Sequence, residues 1–342
     1  MNSVNRFYIT SNKLGAGKTV LAASLLLKLI AKGRKVGYFK PFCSNKYDDG
    51  DVAFFRQLDN CFVIDPVALR LEAVVDSSPA VVIEQVKESV DGLDVNYDTL
   101  IVEGPSLQLP NGDSLDLSYY LPKALDAGVL VISEYEVDCS LESLAETFKA
   151  SFEERLLGTI VNLVTGHRIR HVNGLLSKKI REDMKPLGVV PEDRLMLSIT
   201  LGDLAYHLDA EWVAGQEKAS ELVERFIIGG NIMDSGQTYF GRGSNEAVVV
   251  RGDRPDIQLA ALTTSINALI LTGGHYPVEY VRHEVEREGV PLMVVPHKTN
   301  MAMDILSKAL TKVTPYHYQK VLRFQELLDL HCDMDAIYSD AT

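Results

Sequence analysis

The stretch that most constrains this chain runs from Phe7 to Leu29. A short apolar run, Phe7-Tyr8-Ile9-Thr10, predicts a strand. It breaks into Ser11-Asn12-Lys13-Leu14-Gly15-Ala16-Gly17-Lys18-Thr19, and Val20 to Ala31 then reads as a long apolar helix that Gly33 stops. Strand, glycine-containing loop, Gly-Lys-Thr and helix in this order form a phosphate cradle. Gly15 and Gly17 permit a tight turn whose N–H groups point inward. Lys18 supplies a mobile ammonium, and the Thr19 hydroxyl suits a hard divalent cation. The helix N-terminus adds the positive end of its dipole.

Further along, Lys35 to Pro41 predicts a second buried strand that delivers Lys40 to the same sheet edge, where a plain surface lysine is the competing reading. Strand–helix–strand at this length implies a right-handed parallel crossover, with ligands beyond the carboxyl ends of the strands. Tyr47-Asp48-Asp49-Gly50-Asp51 is an acidic loop. It reads equally as help for a cation or as a solvated turn with Asp51 capping a helix from Val52 to Leu58. Val63 to Ala73 reads as irregular, and Pro79 to Val90 as a helix. Tyr97 to Val102 is a β-branched run that ends in Glu103-Gly104. An acid at that strand end belongs beside a phosphate-bound cation, unless it is only a turn acid. Further strands are expected at Gly128–Ser133, Leu157–Leu163 and Leu187–Glu192, and further helices at Asp116–Ala127, Ser140–Phe152 and Ser198–Ala210. Asn162 ends one of these strands, where its amide suits an adenine edge or its own loop. His167 to Lys185 reads as a basic helical patch.

The pattern changes after Ala210. Trp212 to Phe226 reads as a connecting helix, followed by glycine-rich material around Gly229-Gly230, Gly236 and Gly241 to Gly243. Three strand–loop–helix units then begin at Ala247, Ala268 and Pro291. They predict a second, smaller α/β domain whose loops gather at one sheet edge. There Arg254 and helix N-termini suit an anion, or Asp253 and Asp256 simply cap a helix. A helix is expected from Tyr316 through Leu330. The expected domains are 1–212, 213–315 and a C-terminal segment, 316–342.

Composition excludes several classes. Of 342 residues, 47 are acidic and 34 basic, a net charge of −13 that argues against nucleic-acid and anionic-membrane surfaces. Apolar residues make up 46%, enough for packed cores, yet no run reaches membrane-span length. The four cysteines are scattered, as expected for free thiols in a reducing compartment, so a soluble cytoplasmic protein is expected.

Two resemblances refine this reading. Lys13-Leu14-Gly15-Ala16-Gly17-Lys18-Thr19 resembles the deviant P-loop, with Leu14 in place of a glycine. That family implies an active Lys13 reaching a phosphate across a dimer interface, hence a homo-oligomer. Gly15-x-Gly17-Lys18-Thr19, Lys40-Pro41, Val102-Glu103-Gly104 and Asn162 resemble dethiobiotin synthetase. Gly252-Asp253-Arg254 and Thr272-Gly273-Gly274 resemble the DRTGG domain. Together the halves are similar to the N-terminal regulatory part of long bacterial phosphotransacetylases.

The resemblance implies an α/β fold with a P-loop parallel sheet flanked by helices. It implies ATP on Gly15, Ala16, Gly17, Lys18, Thr19 and Val20, with Asn162 at the base. It implies Mg²⁺ on Thr19, Glu103 and Asp51, with Lys18, Lys40 and Lys13 as the catalytic lysines. A regulatory or scaffold role is the first expectation, with slow ATP hydrolysis compatible, and an unknown small molecule or protein partner at the DRTGG half. The alternative is an ATP-dependent ligase acting on a small amine or carboxylate. Pro105-Ser106-Leu107 replaces that family's small-residue run, which weakens the ligase reading. Acetyl transfer is not expected of this chain alone.

Overall fold

The computed structural model describes residues 4–43, 49–67, 78–91, 97–108, 117–137, 140–176, 178–230, 240, 242–243, 245–311 and 313–340. Tyr47, Asp48, Asp116, Cys139, Gly236 and Gly241 lie outside the described residues. Two compact units divide the chain: Met1–Glu192 with Pro315–Thr342, and Asp193–Thr314.

In the first unit, β1 (Asn5–Ser11), β2 (Val36–Phe39), β3 (Cys61–Ile64), β4 (Thr99–Glu103), β5 (Gly128–Glu134), β6 (Leu156–Val164) and β7 (Pro186–Pro191) form one sheet. Their order is β3-β2-β4-β1-β5-β6-β7, and every pairing is parallel. β1 is central, with Ile9 opposite Glu103 on β4 and Ser11 opposite Ile132 on β5. Phe7 to Ser11 are all buried, as a parallel strand covered on both faces requires. Progress across the sheet reverses at β1, which opens a crevice at the strands' carboxyl ends.

Helix α1 (Lys18–Ala31) buries Val20 to Leu26 and Leu29. Full burial of Leu21, Leu25, Leu26 and Leu29 contributes roughly 6–12 kcal/mol before entropy is counted. Ser24 and Lys28, the two polar interruptions of this helix, meet the helix Tyr318–His331. The Ser24 hydroxyl donates to the Val321 carbonyl at 3.2 Å, and Lys28 pairs with Asp329 at 2.7 Å. The C-terminal helix therefore belongs to the first unit.

Four expectations change. Cys61–Ile64, partly within the stretch read as irregular, is the edge strand β3 paired with β2. It is four residues long and half-exposed, so it carries little periodic signal. α2 (Gly50–Arg56) is capped by Asp49 rather than Asp51: the Asp49 carboxylate accepts from the N–H groups of Asp51 at 3.0 Å and Val52 at 3.3 Å. Trp212 to Phe226 is not a helix. It holds β9 (Glu211–Ala214), a short 3₁₀ turn Gln216–Lys218, β10 (Leu222–Val223) and the start of β11 (Arg225–Gly229). Helix-favouring Glu, Ala and Lys residues yield to sheet pairing, and Gly215 at φ 77° turns the chain beside Pro291. The basic stretch His167 to Lys185 is likewise broken, into Gly166–Arg168, Ile169–Leu175 and Lys178–Met184.

The second unit centres on β12 (Glu246–Arg251), β13 (Ala268–Thr272) and β14 (Leu292–Val295), in the order β11-β12-β13-β14-β9. Only β9 runs antiparallel. Val248 and Val250 pack with Ile257, Val281 and Val285 on one face. Val249 and Ile270 pack with Leu204, Met293 and Leu306 on the other. This period-2 division makes both sheet faces core. Ile199–Thr200 (β8) pairs with β10 in a separate two-stranded ribbon. No described helix is long and apolar enough to cross a membrane.

Candidate functional site

The loop between β1 and α1 turns on two left-handed glycines, Gly15 at φ 80° and Gly17 at φ 108°. At Gly17 a Cβ would lie 2.8 Å from Nδ2 of Asn162, so only glycine fits. Asn162 is 4% exposed, and its Nδ2 donates to the Ala16 carbonyl at 2.9 Å. Its amide therefore clamps the loop from β6, which favours the loop-holding reading over an adenine contact through Nδ2. Asn12, which stands where the usual motif has glycine, ties the start of the loop to β5. It accepts from Glu134 N–H at 3.0 Å and donates to the Glu134 carbonyl at 3.3 Å.

Lys18 reaches across this bend. Its ammonium donates to Ser11 Oγ at 3.1 Å and Ser106 Oγ at 2.8 Å, and the two hydroxyls lie 3.0 Å apart. Among the described residues both its hydrogen-bond partners are neutral. Burial lowers its pKa; the charges of Glu103 and Asp51 only partly oppose this.

Beside it, Glu103 at the end of β4 accepts from Thr19 Oγ1 and from Tyr38 OH, each at 2.8 Å. Glu103 is 4% exposed. Burial, then the nearby charge of Asp51, raises its pKa to about 7, against the pull of Lys40, Lys18 and the Tyr38 bond. A divalent cation would relieve that under-neutralised carboxylate. Thr19, Glu103 and Asp51 offer hydroxyl and carboxylate oxygens, the donors Mg²⁺ prefers. Among the described residues no three His, Cys, Asp or Glu side chains gather into a metal-binding group. A cation here would therefore complete its shell with phosphate oxygens and water.

Lys40 is not free at the sheet edge. Its ammonium bonds both Asp49 oxygens, at 2.9 and 2.8 Å, and Asp51. Burial opposes its charge, but Asp51, Glu103 and Asp49 outweigh this and raise its pKa. Lys13 pairs with Glu134 at 3.2 Å and with Glu136 within its own chain. Beyond the ends of β5, β6 and β7 opens a cavity of about 640 Å³, lined by Tyr135, Glu136, Leu163, Thr165, Arg168 and Glu192. Asn162 and the Lys13–Glu136 pair place it next to the loop.

Sequence reasoning missed Ser11, Ser106 and Tyr38 as site residues, and it offered Asp49 only as part of an acidic loop, not as the partner of Lys40. Ser106 follows Glu103-Gly104-Pro105 closely enough to be found by its place after an acid-ended strand. Tyr38 is one of four consecutive buried residues on β2 and carries no such signal.

In the second unit, Arg251 forks onto Asp253, and Arg254 onto Asp256 at 2.9 and 2.8 Å. Arg254 itself is the helix N-cap residue, so neither aspartate is. Gly273 and Gly274 turn at φ 89° and 70°, and a Cβ on Gly252 would meet the His275 carbonyl at 2.4 Å. Thr272 Oγ1 lies 2.8 Å from Thr299 Oγ1.

The order of strands and the glycine-turned loop before α1 agree with a family comparison. A profile described as AAA domain matches residues 5–198, more than half of the chain. The chain belongs to the AAA domain family. Residues 203–309 match the DRTGG domain. The phosphate acetyltransferase of Nitratidesulfovibrio vulgaris is 24% identical over 98% of this chain and 51% of its own length. The chain thus spans about half the length of that relative. The ATP-dependent dethiobiotin synthetase of Caldicellulosiruptor saccharolyticus is 24% identical, over 46% of this chain and 72% of its own. The cell-division protein MinD of Aquifex aeolicus, a solved structure, is 20% identical at a TM-score of 0.38, covering 57% of this chain and 84% of its own.

Proposed function

We propose that this chain is an ATP- and Mg²⁺-binding regulatory protein. Its first unit binds the nucleotide, and its second senses a small molecule or partner protein at the β12–β14 edge. One observation carries the reading: among the described residues, the Lys18 ammonium in the bend between β1 and α1 has only serine hydroxyls as hydrogen-bond partners. A phosphate tail supplies the missing counter-charge, gripped by backbone N–H groups from Gly15 to Val20 and by the α1 dipole. Thr19, Glu103 and Asp51 hold the cation, whose chemistry is to neutralise phosphate charge. The nucleoside extends into the cavity beyond β5 to β7. Slow hydrolysis is compatible with this reading, and acetyl transfer is not part of it.

The runner-up, an ATP-dependent ligase, needs Lys40 free to neutralise a carboxylate or carbamate. Its ammonium is held by both carboxylate oxygens of Asp49, so the geometry supports the regulatory reading better. Isothermal titration with ATP and ADP, with and without Mg²⁺, tests the proposal. Binding by the native chain and its loss in a folded Lys18→Ala variant are expected; no heat from the native chain ends the reading. A phosphate-release screen against amines with bicarbonate, and against carboxylates, separates the two. Turnover with one substrate would favour the ligase.

A further inference from the structure

Tyr316 lies outside both matched family regions, 5–198 and 203–309. It is the second residue of the segment that returns to the first unit after Thr314. Its hydroxyl is hydrogen-bonded to the Asp51 side chain. Its ring packs on Phe54, centroids 5.8 Å apart and tilted by 34°. A Cβ on Gly50 would come within 2.6 Å of the ring, so the phenol lies directly on the first turn of α2.

That turn carries Asp49 and Asp51, and Asp51 is held between the Lys40 ammonium and the Tyr316 hydroxyl. Tyr316 is itself anchored by the helix Tyr318–His331. That helix buries Val321, Phe324, Leu327 and Leu328, and it is bonded to α1 through Ser24 and Lys28. α1 in turn begins at the phosphate loop. The phenol therefore joins two elements that must keep register, the cation-facing turn and the phosphate-facing helix.

We propose that Tyr316 is a positioning residue for the candidate Mg²⁺–phosphate site, orienting Asp51 so that the first unit's site is complete only with the C-terminal segment in place. This rests on the nucleotide reading of that site.

The test uses the full chain and Tyr316→Phe, which keeps the ring on Gly50 and Phe54 and removes only the donor. ATP affinity is titrated in Mg²⁺ and in EDTA. The ratio of the two affinities is expected to fall about ten-fold in Tyr316→Phe, the scale of one lost hydrogen bond to a charged group. Affinity in EDTA should stay unchanged. Without nucleotide, the amides of Asp51 and Val52 should exchange hydrogen faster in the variant. An unchanged Mg²⁺/EDTA ratio overturns the proposal even if exchange quickens, because Tyr316 would then be packing only. If the native chain binds no ATP in either buffer, the nucleotide reading fails and this inference falls with it. Binding by both proteins with equal ratios sinks the inference alone.

Discussion

Gly17→Ala isolates the contact on which the phosphate loop depends. Gly17 sits at φ 108° and ψ 23° as the N-cap of α1. Holding an alanine in left-handed backbone costs about 1–2 kcal/mol. The added Cβ would also stand 2.8 Å from Nδ2 of Asn162 and 3.2 Å from Cδ1 of Ile132. Ile132 lies on the buried strand β5, so the amide is what gives. Its movement breaks the Asn162–Ala16 bond and strands a carbonyl, about 1–2 kcal/mol more. The sum is about 2–4 kcal/mol against a typical total of about 5–15 kcal/mol. At roughly 2–4 °C per kcal/mol, the first unit should melt roughly 5–15 °C lower. Differential scanning calorimetry reads this. Trp212, the chain's single tryptophan, lies in the second unit, so its fluorescence marks that unit's transition separately. A double-mutant cycle with Asn162→Ala sharpens the test. With the amide gone, Gly17→Ala retains only its backbone strain, so the pair should cost about 1 kcal/mol less than the sum of the singles. Melting lowered by under about 2 °C, or additivity within about 0.5 kcal/mol, would refute the clamp.

Three further outcomes rest on the same geometry. Glu103 ionises near 7 rather than at 4.5, so the fold bears its charge at a cost that is absent at low pH, grows from pH 4.5 to 7 and is complete above 7. The difference corresponds to roughly 3 kcal/mol. In metal-free buffer Glu103→Gln should therefore stabilise the chain at pH 8 and lose that gain by pH 4; guanidinium unfolding at both pH values checks the sign, and an opposite trend would reject it. Among the described residues the buried Tyr8 hydroxyl has no hydrogen-bond partner, so Tyr8→Phe should leave stability unchanged or raise it by up to about 2 kcal/mol in thermal melts, and a clear loss would reveal a partner. Lys13→Ala removes partly exposed ion pairs with Glu134 and Glu136 and should change stability by under about 1 kcal/mol. Under the homo-oligomer that the deviant P-loop resemblance implies, it should also abolish ATP-dependent association in sedimentation velocity, and association that persists would place Lys13 outside any interface.

Local signals carried much of this protein. A strand, two glycines and Gly-Lys-Thr specify the bend before α1, because positive-φ backbone and a helix N-terminus leave few other readings. Apolar β-branched runs marked β4, β5 and β6, since strands covered on both faces need no partner information to be seen. The fate of Lys40 was not legible. Its pairing with Asp49 depends on how α2 docks, and a lysine after a strand looks the same whether free or neutralised. Trp212 to Phe226 misled for a related reason: its composition favours helix, and only pairing with β14 and β12 overrides that small local preference.

From sequence alone came the phosphate loop, the acid at Glu103 and the two-part α/β architecture, each written in neighbouring residues whose backbone and periodicity suffice. Only the tertiary structure decided which side chains surround them. Ser106 under Lys18, Asn162 beneath Ala16 and Tyr316 on Asp51 are 88, 146 and 265 residues from their partners. Contacts at such separation are set by sheet order and helix docking, which no local pattern encodes.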